Sequence, residues 1–100
     1  MLNQTILVGR IYNIIDNTFM NGGVKLVMTI PRSIKNEEGM YPNDYITVQI
    51  KGSMANNTLE YCKVGDLVGV KGTLQCENEY DAVTVIAEKV TFLSSSKGGE

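Results

Sequence analysis

Tyr45 and Lys51 lie six residues apart in a stretch of strict alternation, Asp44–Lys51. Tyr45, Thr47, Gln49 and Lys51 fall on one side of it and Ile46, Val48 and Ile50 on the other. A ring and an ammonium on one face can stack a nucleobase and meet a phosphate. Stacking is worth roughly 1–3 kcal/mol per base and tolerates any sequence, because every base has a π-face. A second alternating stretch, Val24–Ser33, adds Lys25 and Thr29, and the connection Ile34–Asn43 carries Lys35 and Tyr41 with Arg32 at its foot. Arg10 follows a glycine and suits a phosphate or a neighbouring subunit's carboxylate; Lys71 is a further candidate phosphate contact. Tyr80 is either a second stacking platform or a ring half-packed on the protein. The plain alternative stands beside all of these: a polar outer face bearing a Tyr and a Lys is what any solvated antiparallel sheet presents. Phe19 is expected to anchor its loop, and Tyr12, Tyr61 and Phe92 are expected to be structural.

Other chemistries find little support. The chain has no His and two Cys, so zinc sites and His-dependent catalytic sets are missing. By count Cys62 and Cys76 allow a disulfide, but without a secretion signal two reduced thiols are the expectation. Glu37-Glu38 and Glu77-x-Glu79 are turn acids with no nucleophile or phosphate loop beside them. Gly22-Gly23 precedes a strand and not a helix, so it lacks an anion-binding helix start. No enzymatic activity, cofactor or small-molecule substrate is expected. The formal charge of −2 and pI near 5.1 exclude a bulk polycation, so nucleic-acid contact needs a local patch. No apolar run is long enough to cross a bilayer and the N-terminus has no signal-peptide pattern, which leads us to expect a cytoplasmic protein without membrane contact.

These residues need a scaffold of strands. Val, Ile and Thr supply 27 of the 100 residues and Ala three, an excess of β-branched types. Five strands are predicted: Leu2–Ile15, apolar on both faces around Ile6, Leu7, Val8 and Ile11; Val24–Ser33; Asp44–Lys51; Asp66–Cys76; and Ala82–Leu93. One helix, Met54–Lys63, is predicted with Ser53 as its cap, Leu59, Tyr61 and Cys62 facing inward, and Gly65 at its end. Turn signals stand at Asn21-Gly22-Gly23, Asn36–Gly39, Pro42-Asn43 and Glu77-Asn78-Glu79. The order β-β-β-α-β-β, with a short helix between strands three and four, predicts an all-β, five-stranded OB-fold barrel. Gly9, Gly69 and Gly72 inside strands fit sharp bends or close backbone approaches. The predicted domain is 1–93, with 94–100 a short polar tail.

Several stretches are similar, in order and spacing, to a known family. They are Ile6–Ile11, Asn21-Gly22-Gly23 leading into Met28-Thr29-Ile30, Asp44–Val48, Lys51-Gly52, Tyr61–Leu74 and Ala87–Leu93. Over roughly residues 2–93 the chain resembles the N-terminal domain of bacterial and phage single-stranded DNA-binding proteins. The resemblance implies an OB-fold that assembles as a homotetramer, less often a dimer. It implies coating of single-stranded DNA without base preference in replication, recombination and repair. It implies that the first strand helps to pair subunits and that Tyr45 takes the place of a stacking tryptophan.

The departures are specific. The chain has no Trp, the family's aromatic at the end of strand three falls at Lys51, and Tyr80 sits beside carboxylates that repel phosphate. The family's acidic tail with its Pro-Phe ending has no match in Ser94–Glu100. Binding weaker than that of a Trp-rich relative, and more salt-sensitive for its strength, is therefore expected. The competing reading is an assembly module of the primosomal-protein-B type, with weak or no DNA binding.

Overall fold

The computed structural model describes residues 1–20, 22–76 and 82–95. Its elements are β1 (Thr5–Asp16), a 3-10 turn (Thr18–Met20), β2 (Val24–Pro31), β3 (Asn43–Ile50), α1 (Ser53–Tyr61), β4 (Leu67–Cys76) and β5 (Val83–Ser94). The strands close into a barrel in the order β1-β2-β3-β5-β4. Neighbours are antiparallel except β3 and β5, which pair in parallel at Val48↔Val85 and Gln49↔Ile86. This is the predicted five-stranded OB barrel with its helix between β3 and β4.

Closure depends on β1 serving two neighbours. Thr5–Arg10 pairs with β4 and Arg10–Asp16 with β2, so the strand bends around the barrel between its halves. Gly9 sits at that bend, where a Cβ would lie 2.5 Å from the Thr29 carbonyl oxygen. Gly72 meets the same constraint in β4: a Cβ there would overlap the Ile86 carbonyl, beside a register shift in the β4–β5 ladder. Gly69 has no such close approach, since a Cβ there would make only ordinary contacts. Beyond the start of β1, the Asn3 side chain continues the ladder, donating to the Leu74 carbonyl (2.9 Å) and accepting from its amide (2.8 Å).

The inward positions of the alternating strands build the core: Val24, Leu26 and Met28 from β2, Val48 and Ile50 from β3, Val68 and Val70 from β4, joined by Ile11 and Val85. Helix α1 packs on this core through buried Ala55 and Thr58, and Cys62 follows it into the interior. The helix differs from its prediction in three respects. Gly52 and not Ser53 is the N-cap, and no side chain caps it; the helix stops at Tyr61, ahead of Gly65; and the Tyr61 ring is exposed, with Leu59 and Cys62 inward. Lys51 falls just outside β3.

β1 is not buried on two sides within one chain. Leu7 and Ile11 face the core, while Ile6 is 70% and Val8 53% exposed. Phe19 stands 80% exposed, which does not fit an anchor for its loop, and Phe92 is about half exposed. The turn residue Asn21, the Glu77-Asn78-Glu79 turn, Tyr80 and residues 96–100 lie outside the described residues. No helix among the described residues is long and apolar enough to cross a membrane.

Candidate functional site

Alternation sends every second side chain of β1, β2 and β3 outward, and the ladder registers align them in rows. Arg10, Thr29 and Tyr45 form the first row, Asn13, Val27 and Thr47 the second, and Ile15, Lys25 and Gln49 the third. Between the first two rows lies Tyr12, the extra residue of a bulge in β1, where Ile11 pairs with Met28 and Asn13 with Val27. A bulge points two successive residues to the same side. Here it turns both Tyr12 and Asn13 outward. The Tyr12 and Tyr45 rings meet edge to face, centroids 5.0 Å apart and planes at 73°, and each residue is 58% exposed. Two wet tyrosines in contact form a platform larger than either ring alone.

Tyr12 was expected to be structural, and its outward place corrects that. Counting by twos from inward Ile11 already puts it outside. What the alternation does not show is the bulge, or the neighbour that its ring meets.

The cations are held in different ways. Arg10 donates from its guanidinium to the Gly65 carbonyl at 3.1 Å, aiming it at the turn before β4. Lys25 is half-buried in the third row opposite Gln49. Gln49 is occupied, its amide donating to the Gly22 carbonyl at 2.6 Å and pinning the β1–β2 turn to the sheet. Lys51 is exposed at the far end of the face, in a hollow of about 150 Å³ shared with Gln49, Gln75, Cys76, Thr84 and Ile86.

The β2–β3 connection leaves the sheet at the Tyr45 end. The Lys35 ammonium lies 5.6 Å from the centre of the Tyr41 ring, within cation–π range. At the tip, the Asn36 side chain accepts from the amides of Glu38 (2.9 Å) and Met40 (3.0 Å). Arg32 engages Asp44 in a fork, Nε at 3.1 and 3.2 Å and Nη2 at 2.9 Å from the carboxylate oxygens. That hydrogen bonding holds the Asp44 carboxyl below its ordinary value and raises Arg32.

Of the predicted residues, the fold thus brings Arg10, Lys25, Tyr45, Thr47 and Lys51 to one face, with Arg32, Lys35 and Tyr41 on the loop at one end. Lys71 is elsewhere: it lies on β4, between Ile6 of β1 and Lys89 of β5. A separate apolar cleft of about 330 Å³ between α1 and β5, edged by Tyr61, Cys62 and Phe92, shares no residue with this face. Cys62 and Cys76 are both free thiols.

Known proteins match this chain along its length. The sequence profile of the single-strand binding protein family matches residues 2–93. The chain is 34% identical over 110 residues to a single-stranded DNA-binding protein of Bacillus cereus, an alignment covering 99% of this chain and 64% of that protein. It is 34% identical over 103 residues to single-stranded DNA-binding protein B of Bacillus subtilis, covering 93% and 91%. It therefore spans less than two-thirds of the first relative and most of the second. A solved Plasmodium falciparum SSB in complex with ssDNA shares the fold, with a TM-score of 0.74 at 14% identity over 94% of this chain and 96% of that one.

Proposed function

The chain belongs to the single-strand binding protein family, and from that premise we propose that it binds single-stranded DNA, without base preference, across the outer face of β1, β2 and β3. The observation that carries this reading is the exposed Tyr12–Tyr45 pair in a field of small and cationic side chains. Bases stack on the two rings and on Tyr41, while Arg10, Lys25, Lys35 and Lys51 meet phosphates along the strand. Thr47, beside Val27, offers a hydroxyl without obstructing the path. Tyr80 keeps its place as a candidate third platform. The protein acts by binding and not by catalysis, in the coating and protection of DNA during replication, recombination and repair.

The active form is read as a homo-oligomer in the cytoplasm, a tetramer in preference to a dimer. Ile6 and Val8, exposed on β1, support this, since burying such side chains against a second subunit is worth about 25 cal/mol per Å² of apolar surface. Several subunits on one strand then bind at high effective concentration.

The test is a fluorescence-anisotropy titration with oligo-dT over a range of salt, run beside solution mass with and without the DNA. Saturable binding at low salt, by an oligomer whose mass shifts to that of a complex, is the expected result. No binding at low salt would overturn the reading in favour of an assembly module.

A further inference from the structure

We propose that Arg32 and Asp44 form a clasp that positions the β2–β3 loop beside the tyrosine pair, and that Arg32 is a positioning residue and not a phosphate contact. The loop needs such a device. Residues 31–40 are all exposed, so the hydrophobic core gives this segment no hold. Its own bonds close the tip at Asn36 and the middle at Lys35–Tyr41, but neither ties the loop to the sheet. Its foot is tied twice, by the Arg32 amide donating to the Pro42 carbonyl at 2.8 Å and by the guanidinium fork on Asp44.

Register gives the clasp its leverage. Asp44 pairs with Ile30 and directly precedes Tyr45, so the fork joins the two strands one step beyond the row that carries the ring. Opening it frees Lys35 and Tyr41 to swing away from the face. Charge favours the same role. With Nε and Nη2 both bonded to the carboxylate, the guanidinium's charge is offset where it stands and its directed donors on that edge are spent.

The second readout below rests on the DNA-binding reading; the first does not. The full chain is compared with Arg32→Gln, with Asp44→Asn, and with the swap Arg32→Asp/Asp44→Arg. Amide hydrogen exchange is followed over 32–41 in the free proteins, the Arg32 amide at the foot included, and oligo-dT affinity is measured across salt. Exchange in the loop is expected to speed about 1.5- to fivefold in both single variants, the range that an exposed ion pair supports, and to return toward wild type in the swap. Both single variants are expected to bind DNA more weakly with the salt slope unchanged, Asp44→Asn included, although it removes a negative charge.

A fall of about 0.7 in the slope for Arg32→Gln, the signature of one lost phosphate contact, would overturn the clasp. Unchanged loop exchange in the single variants, or tighter binding by Asp44→Asn, would overturn it too. Failure of the wild type to bind oligo-dT at low salt would sink the DNA reading alone, and the exchange measurement would still decide the clasp.

Discussion

Tyr12 and Tyr45 touch although their strands are not neighbours: β2 runs between them. Strands two apart lie about 10 Å from each other. The rings close that gap by reaching over Thr29 and Val27, side chains small enough to pass beneath. The bulge that places Tyr12 between two ladder rows is therefore as much part of the platform as either ring.

If both rings stack bases, Tyr12→Ala and Tyr45→Ala should each weaken oligo-dT binding, by roughly 1–3 kcal/mol if one base is lost from the stack. The double variant should lose less than the sum, because the rings also hold each other, a coupling of about 0.5–1.5 kcal/mol. Anisotropy on the four proteins of the cycle measures this. Alanine variants that bind like wild type would remove the platform from the site.

Cations on the face should differ from cations off it. Lys25→Ala and Lys51→Ala are each expected to lower the slope of log affinity against log salt by about 0.7, the share of one phosphate on a single strand. Lys71→Ala should leave the slope alone, since Lys71 stands between Ile6 and Lys89 on another side of the barrel. Equal slopes for all three variants would contradict the division.

Two strand glycines should part company on substitution. Gly9→Ala puts a methyl 2.5 Å from the Thr29 carbonyl oxygen, whereas Gly69→Ala finds its nearest neighbour at 3.7 Å. Overpacking of the first kind costs typically 1–3 kcal/mol, or about 4–8 °C of melting temperature for each kcal/mol in a domain of this size. Thermal unfolding followed by circular dichroism should show that loss for Gly9→Ala and little change for Gly69→Ala.

The thiols should react in sequence. Burial, reinforced by the Asp66 carboxylate, pushes the Cys62 thiol above its ordinary value, and the thiolate is the nucleophile. Iodoacetamide at pH 8 should therefore label exposed Cys76 first and Cys62 far more slowly in the folded protein, as mass spectrometry of the intact protein would record. Raising the pH brings Cys62 toward its thiolate, so its labelling should rise later in a pH series than that of a solvent-exposed thiol. Early double labelling of the folded protein would contradict the packing of Cys62 under α1.

Much of the barrel could be read from the chain because alternation encodes burial directly. Val24–Met28 and Ile46–Ile50 declare an inner and an outer side, and strands of period two can bury only one of them. Strand ends were less legible. Lys51 continues the alternation yet lies beyond the last ladder pair, since pairing depends on the partner strand and not on pattern. The sequence points to Ser53 as the N-cap because a hydroxyl signals capping, whereas the turn is made by Gly52 at positive φ with no side-chain bond.

What the sequence determined by itself was the set of outward residues on β2 and β3, Lys25, Thr29, Tyr45 and Thr47, because local periodicity assigns faces. Only the tertiary structure decided which of them meet. Strand order brought Tyr12 to Tyr45 over a third strand, laid Arg32 against Asp44 twelve residues on, and carried Lys71 to another side of the barrel. Contacts of that sort follow from closing the sheet, and no window of neighbouring residues contains the closure.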